Sequence, residues 1–371
     1  MFPGRYRPTD EDFDYMWHEG LFVLDTNVLL NLYRYSDHAR EELVEVFHSI
    51  EERLWLPYQV AEEYISCRLD VIHEKRKAYE DLQKTLEEGQ AKVAKQMQEL
   101  HRDPVVEAED LLEEVWQSFR KLAGHLEERK DELPELTSSP DEDEVWAVVD
   151  EIFAGRIGDP YTPEKKQKLL EEGKKRYEAD IPSGYEDQKK GGEEQFGDAL
   201  LWFQILDKAE EAGKPLVFVS DDRKDDWWWR PHGKTLGPRF ELVDEMYHRA
   251  GMRFYMYSTQ RFLEEARWFL QQEVSDEVID EVQELASLED EAEDAIDWQK
   301  LGQALAQIHG YENVQNIGER SPLQEAQEAH ENFQSIGERS PLQEAQEVQE
   351  YVENLRRLLN APTVRKFFGL S

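Results

Sequence analysis

The chain contains one cysteine, comparatively few basic residues and no long apolar run. A single cysteine, Cys67, among 371 residues excludes an internal disulfide and a thiolate zinc cage. No apolar run approaches the ~18–20 residues that cross a bilayer, so we expect no membrane-spanning segment. The first twenty residues are acidic, whereas a secretory signal is basic and then apolar. We therefore expect a cytoplasmic protein.

Basic residues are outnumbered almost two to one. The chain has 44 Lys and Arg against 83 Asp and Glu, a net charge of −39. This charge repels polyanions at long range, so a nucleic-acid partner must be met by local basic patches or bridging cations. The most cationic stretch is 165–190, which contains eight Lys or Arg and six Asp or Glu.

Short apolar runs alternate with amphipathic segments in two parts of the chain. Residues 21–24 and 215–219 are typical of buried strands, and 253–257 is a third strand. Between and around them, we predict helices at 38–52, from Val60 onward, at about 141–154, at 194–212 and at 239–250, with a strand-like segment at 54–56. This alternation predicts an α/β fold with a parallel sheet flanked by helices.

The remaining chain is charged and helical. Apolar residues recur at helical spacing between 69 and 135, with a break at Asp103-Pro104, which predicts an inserted antiparallel helical hairpin. The acidic C-terminal part carries a 19-residue tandem repeat, since 315–328 recurs almost unchanged at 334–347. We predict a core formed by 1–68 and 145–262, a hairpin at 69–144 and an all-α extension at 263–371. Long helical arms of this kind predict a homo-oligomer or a protein partner.

Acidic side chains follow two of the predicted strands. Asp25 comes directly after 21–24, and Asp221-Asp222 follows 215–219 by one residue. Glu62 and Glu63 lie near the start of one predicted helix and Asp198 near the start of another. Ligands of parallel α/β sheets bind beyond the carboxyl ends of the strands, so these carboxylates are expected to converge. Converging carboxylates need a cation, and an all-oxygen set favours Mg²⁺ or Mn²⁺ over zinc.

Each acid also has an ordinary structural interpretation. An Asp at a strand end is often a helix cap, as for Asp25. Asp198 in a first helical turn complements the helix dipole, and Glu63 on a charged helix is typical of a solvated face. The joint pattern, rather than any one residue, favours a metal site.

Four segments together resemble the acidic motifs of PIN-domain nucleases. They are Leu-Asp25-Thr-Asn27, Pro57-Tyr-Gln-Val-Ala-Glu-Glu63, Gly197-Asp198-Ala and Phe-Val-Ser220-Asp221-Asp222. The chain is most similar to a PIN-like branch in which Ile181-Pro-Ser-Gly-Tyr-Glu-Asp187-Gln-Lys189-Lys190 precedes the third motif and Asp222-Arg-Lys-Asp-Asp226-Trp227 follows the fourth. The long insertion between the second and third acids departs from small PIN domains.

The resemblance implies a divalent-metal-dependent phosphodiesterase that acts on RNA or DNA. Asp25, Glu63, Asp198 and Asp222 match the family's four acids, with Glu62 and Asp221 as open alternatives for the second and fourth. Asn27 matches the polar residue after the first acid, and Ser220 matches the hydroxyl that orients the fourth. One or two metal ions would activate water and stabilise the leaving oxygen.

Basic and aromatic residues near these motifs are candidates for substrate contacts. We expect Arg176, Lys189 and Lys190 to contact the phosphate backbone. Trp227, Trp228 and Trp229 are candidates for base stacking, although core packing is the favoured interpretation for Trp227. Two other functions remain open: a catalytically silent PIN-like scaffold that binds through its helical arms, and a phosphatase for small nucleotides. A toxin or an anti-invader effector is the biological role that the family suggests.

Overall fold

The computed structural model describes residues 6–100, 109–131, 133, 136, 139 and 142–293. These residues fall into two compact units. The first contains the described residues up to Lys75 and from 136 to Glu289, and the second contains those between Arg76 and Leu133 and those from Asp290 to 293. Among the described residues, no helix combines the length and the apolar character needed to cross a membrane.

A parallel three-stranded sheet lies at the centre of the first unit. Its strands are β1 (Leu21–Leu24), β2 (Leu216–Val219) and β5 (Phe254–Tyr257), in the order β1-β2-β5. All residues of β1 and β2 are buried, as expected for parallel strands covered on both faces. Leu24 pairs with Val219, which pairs with Tyr257. All three strands therefore end at the same edge, and the prediction of a parallel α/β sheet is confirmed.

Helices flank the sheet and carry most of the remaining chain. A short antiparallel pair, β3 (Trp228–Trp229) and β4 (Gly237–Pro238), follows β2. The helices are α1 (Asp10–Glu19), α2 (Thr26–Asn31), α3 (Asp37–Ser49), α4 (Tyr58–Leu100), α5 (Glu109–Asp131), α6 (Glu144–Phe153), α7 (Pro163–Glu178), α8 (Gly197–Ala212), α9 (Phe240–Ala250), α10 (Thr259–Phe269) and α11 (Asp276–Glu293).

The inserted segment forms two long helices. The helix α4 starts directly after Pro57 and continues without interruption to Leu100, so the predicted helix from Val60 and the first arm of the hairpin are one element. Tyr79 and Leu86 of α4 pack with Phe119, Leu122 and Leu126 of α5. Lys130 forms an ion pair with Glu80 at 2.7 Å, which makes the two helices antiparallel. The predicted break at Asp103-Pro104 lies outside the described residues.

Two elements differ from the expected pattern. Residues 54–56 form isolated bridges to Phe22 and Ile157 rather than a strand, because only single residues reach a neighbouring backbone. The helix α1 was not predicted, although Thr9 and Asp12 form a reciprocal capping box at its start.

The helices after β5 extend the core of the first unit. The side chains of Val278, Ile279 and Val282 on α11 are buried in the cluster that surrounds the sheet. Glu281 accepts hydrogen bonds from the backbone N–H and hydroxyl of Ser36 at 2.6 and 2.8 Å. The predicted extension therefore begins with packed helices, and its tandem repeat at 315–328 and 334–347 lies outside the described residues.

Candidate active site

The first acid lies where β1 and β2 end side by side. The backbone N–H of Asp25 donates to Val219 O at 2.9 Å, which continues the pairing of the two strands by one residue. Asp25 is also the N-cap of α2, because its Oδ1 accepts from Thr26 N at 2.8 Å. The capping interpretation and the site interpretation therefore both apply to this residue.

Two polar side chains hold the second oxygen of Asp25. Ser220 donates its hydroxyl proton to Asp25 Oδ2 at 2.5 Å, and Asn27 Nδ2 donates to the same oxygen at 2.9 Å. The Asn27 carbonyl in turn accepts from Asp221 N at 3.1 Å, and Ser220 Oγ accepts from Asp222 N at 3.1 Å. Asn27 and Ser220 thus link the loop after β1 to the loop after β2 and fix the direction of the Asp25 carboxylate.

Of the two glutamates open for the second acid, Glu63 is the one linked to the Asp25 loop. Thr26 Oγ1 donates to Glu63 Oε2 at 3.0 Å, so one residue joins the first acid to α4. Glu62 is exposed like Glu63, but its side chain accepts a 3.4 Å bond from Tyr58 on its own helix and no bond from the Asp25 loop. This placement favours Glu63.

The two aspartates after β2 have different partners. Asp221 accepts from both the backbone N–H and the hydroxyl of Thr259, at 2.8 and 2.6 Å, and so anchors the start of α10. Asp222 points to Lys224, whose Nζ lies 3.0 Å from its Oδ2. Asp222 is therefore the one of the two that shares the Lys224 ammonium with Asp198.

Lys224 gathers the third and fourth acids around one ammonium group. Its Nζ lies 3.3 Å from Asp198 Oδ2 and 3.1 Å from Asp187 Oδ1, in addition to Asp222. Neither Lys224 nor Asp187 was assigned a role from the sequence. Both fall within segments that carry the family resemblance, but a lysine and an aspartate in charged stretches resemble solvated residues until their packing is known.

The backbone beside Asp198 leaves no room for a larger residue. Gly184 has φ +87°, and a Cβ atom there would lie 2.3 Å from Tyr177 Oη and 2.9 Å from Asp198 Cβ. Ser183 Oγ donates to Asp198 O at 3.1 Å, and Trp227 Nε1 donates to Asp198 Oδ2 at 3.4 Å. The Pro-Ser-Gly segment and Trp227 therefore position the third acid.

Burial and mutual repulsion raise the pKa values of Asp25 and Asp198. Burial, assisted by the charges of Asp222, Asp198 and Glu63, raises the pKa of Asp25 to about 8, although the Ser220 hydrogen bond opposes the shift. Burial also raises the pKa of Asp198 to about 6 despite the nearby Lys224 charge. For Lys224, burial lowers the pKa, but Asp198, Asp222 and Asp187 outweigh it, so the ammonium stays charged.

A further acid, Asp226, is completely buried next to these residues. Its Oδ2 accepts from Glu186 N at 3.2 Å, whereas its Oδ1 has no hydrogen-bond partner. Burial, together with the charges of Asp198 and Glu186, raises its pKa to about 7. Asp226 is therefore partly protonated at neutral pH.

The expected substrate-binding cations lie in three different surroundings. Arg176 is buried and forms a two-pronged ion pair with Glu245 at 2.7 and 2.8 Å. Because its guanidinium is paired inside the protein, we do not propose that Arg176 contacts the phosphate backbone of a substrate. Lys190 forms an ion pair with Asp187 Oδ2 at 2.8 Å at the border of the acidic cluster. Lys189 is exposed.

The three consecutive tryptophan side chains cannot all face one surface, and they lie in different surroundings. Trp227 and Trp228 are buried, with Trp227 packed against Phe218 at 5.2 Å between ring centroids. Trp229 is 42 % exposed. Of the three, only Trp229 presents much of its ring to solvent.

The donor set fits a hard divalent cation in its chemistry. All candidate ligands are carboxylate oxygens, and the buried Asp25 carboxylate repels its neighbours. Among the described residues, however, no three His, Cys, Asp or Glu side chains are arranged as a ready metal cluster. The Lys224 ammonium lies among three acids, Asp187, Asp198 and Asp222.

A long groove opens beside Asp222. It has a volume of about 1210 Å³ and extends past Trp228, Arg223 and Arg230 toward α10. This volume exceeds the roughly 300–1,000 Å³ of pockets that enclose a small ligand. Of the four candidate acids, Asp222 alone lines this groove.

A comparison with protein families agrees with this geometry. The family model described as "PIN like domain" matches residues 21–242, which is more than half of the chain. No curated protein and no solved structure is significantly similar to the chain. Domains of this family are typically nucleases and generally use divalent metal ions. The matched range contains every acid of the candidate site, and the chain belongs to the PIN-like domain family.

Proposed function

We propose that the protein is a divalent-metal-dependent nuclease that hydrolyses phosphodiester bonds of RNA or DNA. The observation that supports this proposal is a set of contacts that links the acids in pairs: Ser220 joins Asp25 to Asp222, Thr26 joins the Asp25 loop to Glu63, and Lys224 joins Asp198 to Asp222. The electrostatic influence of the other three acids on Asp25 supports their proximity. Repelling carboxylates held this close are costly to a fold unless they bind a cation.

Asp25, Glu63, Asp198 and Asp222 are the acids around the place where we expect Mg²⁺ or Mn²⁺ to bind. When bound, such an ion lowers the pKa of a water molecule and stabilises negative charge on the phosphate. Ser220 and Asn27 orient the Asp25 carboxylate, and Thr26 orients that of Glu63. The Lys224 ammonium adds a fixed positive charge beside Asp198 and Asp222.

The groove beside Asp222 favours a polymeric substrate over a small nucleotide. Arg223 and Arg230 line it within a few residues of the fourth acid. We propose Lys189 and Lys190 as further contacts to the phosphate backbone. Cations in the crevice would also reduce the repulsion that a chain of −39 exerts on nucleic acid. Association of copies through the helical arms stays a prediction.

The proposal is tested with labelled single-stranded and double-stranded RNA and DNA. The purified chain is incubated with each substrate in Mg²⁺, in Mn²⁺ and in excess EDTA. We expect cleavage of at least one substrate with a divalent ion and none in EDTA. Absence of cleavage under all conditions, together with unchanged binding of nucleic acid in EDTA, would favour the silent scaffold.

A further inference from the structure

The carboxylates around Lys224 match the number of protons on its ammonium group, and each lies at ion-pair distance. Its Nζ lies 3.0 Å from Asp222, 3.1 Å from Asp187 and 3.3 Å from Asp198. An ammonium has three N–H donors, so each proton has one carboxylate acceptor. The lysine side chain is only 27 % exposed. Lys224 is therefore a built-in cation of the site, held by a complete set of charged partners.

The opposite side of the crevice lacks such a cation. Asp25 is held by the neutral donors Ser220 and Asn27 and by the Thr26 backbone, and Glu63 is held by the Thr26 hydroxyl. Across the ranges that the structure describes, no Lys, Arg or His forms an ion pair with either acid. Among the described residues, the positive charge that contacts these acids therefore lies on the side of Asp187, Asp198 and Asp222, and none contacts Asp25 or Glu63.

We propose that the crevice takes one divalent cation, on the Asp25 and Glu63 side, and that the Lys224 ammonium occupies the place of a second ion. This inference rests on the proposed nuclease function and specifies how its charge is arranged. Two-metal nucleases place their ions ~3.5–4 Å apart, so that both sides of the reacting phosphate are neutralised. A lysine fixed by Asp187, Asp198 and Asp222 supplies positive charge on one side permanently. Lys224 is then a positioning residue for these three carboxylates.

The competing arrangement is one in which Lys224 swings away and two ions enter. The two arrangements differ in the number of ions bound, which is measured without any activity assay. Mn²⁺ binding is counted by electron paramagnetic resonance of the full chain at moderate salt. An Asp25→Asn, Asp222→Asn double variant gives the background of ions bound by the acidic surface.

We expect one Mn²⁺ above background in the wild type and in Lys224→Arg, which keeps the charge. Lys224→Met should bind two, because three carboxylates lose their shared cation. Lys174→Met removes an exposed lysine of α7 and controls for the change in net charge, so it should bind one. Should Lys224→Met fold only when Mn²⁺ is present, that also supports the inference.

Two ions in the wild type, or one in a folded Lys224→Met, would overturn the inference and leave the proposed nuclease intact. No ion above background in the wild type would contradict the proposed function itself. The cleavage panel with and without EDTA separates these two failures.

Discussion

Ser220 connects the first and fourth acids through a single hydroxyl group. Its Oγ donates to Asp25 Oδ2 at 2.5 Å and accepts from the backbone N–H of Asp222 at 3.1 Å. One side chain thereby sets the direction of the Asp25 carboxylate and the path of the loop that carries Asp222. The contact joins residues 195 positions apart, so it depends on the pairing of β1 with β2.

Ser220→Ala should weaken both metal binding and the fold. Loss of an outer hydrogen bond to a ligand typically reduces metal affinity by ~10–100-fold, and loss of a hydrogen bond to a charged group costs ~1.5–3 kcal/mol of stability. Calorimetric titration with Mn²⁺ and thermal melting measure the two effects. Ser66→Ala, which removes an exposed hydroxyl of α4, should change neither appreciably. Unaltered Mn²⁺ affinity in Ser220→Ala would contradict the role given to Ser220.

The metal-free protein should lose stability as the pH rises toward 8. The pKa of Asp25 is raised from 3.8 to about 8 in the folded chain, so between these values the folded state holds a proton that the unfolded state has released. Stability gained from that proton is present at low pH and is lost as the pH rises through about 8. Asp198 and Asp226 act in the same direction at lower pH, since their pKa values are about 6 and about 7.

Asp25→Asn should therefore reduce the pH dependence and abolish cleavage while it leaves the fold intact. In EDTA, the fall in melting temperature between pH 6 and 8 should be smaller in this variant than in the wild type. The exposed Asp159→Asn is the matched control and should keep the wild-type slope. An equal slope in Asp25→Asn would show that the Asp25 carboxyl is not the group that titrates.

Gly184→Ala should damage both the fold and the third acid. The new Cβ would meet Tyr177 Oη at 2.3 Å and Asp198 Cβ at 2.9 Å, and φ +87° is unfavourable for alanine. We expect a loss of ~1–2 kcal/mol from the backbone and a further ~1–3 kcal/mol from overpacking. Gly251→Ala, at the end of α9, has a similar left-handed backbone (φ +70°, ψ +11°) but open space around its Cβ, so it should show only the backbone cost. Equal losses in the two variants, measured by urea unfolding, would exclude the clash.

Truncation at two points should separate the packed helix from the repeat-bearing tail. Ending the chain at 275 removes Val278, Ile279 and Val282, whose burial contributes roughly 1.5–3 kcal/mol each. Ending it at 293 removes none of the described residues. We expect the 1–293 chain to keep its melting temperature and its Mn²⁺-dependent stabilisation, and the 1–275 chain to melt much lower. Loss of Mn²⁺ stabilisation in a folded 1–293 chain would contradict the location of the metal ligands.

The parallel sheet was predictable because its strands have a local apolar pattern. The apolar runs 21–24 and 215–219 permit little else than buried strands, and parallel strands bring Asp25 and Asp222 to one edge. The preference for Asp222 over Asp221 needed the structure, since Thr259 belongs to a distant element. Spacing along the chain cannot show which of two adjacent carboxylates accepts hydrogen bonds from a distant element.

Charged residues were the hardest to interpret from the sequence. Arg176 was expected at the surface beside Lys174 and Lys175, but Glu245 on α9 draws it into the fold. Lys224 was given no role, although it contacts three acids. The partners of a charged side chain become known only from the tertiary structure. The same residue types form both exposed, solvated charges and buried ion pairs, so the sequence does not distinguish them.

Cleavage by an Asp198→Asn variant tests the central claim most directly. Asp198 accepts from Lys224 Nζ at 3.3 Å and from Trp227 Nε1 at 3.4 Å, and asparagine keeps an oxygen acceptor for these donors while it removes the charge. With Mn²⁺ and the best substrate, we expect wild type and Asp159→Asn to cleave at equal rates and Asp198→Asn to lose ~100-fold or more. Wild-type turnover by a folded Asp198→Asn chain would contradict the four-carboxylate nuclease site.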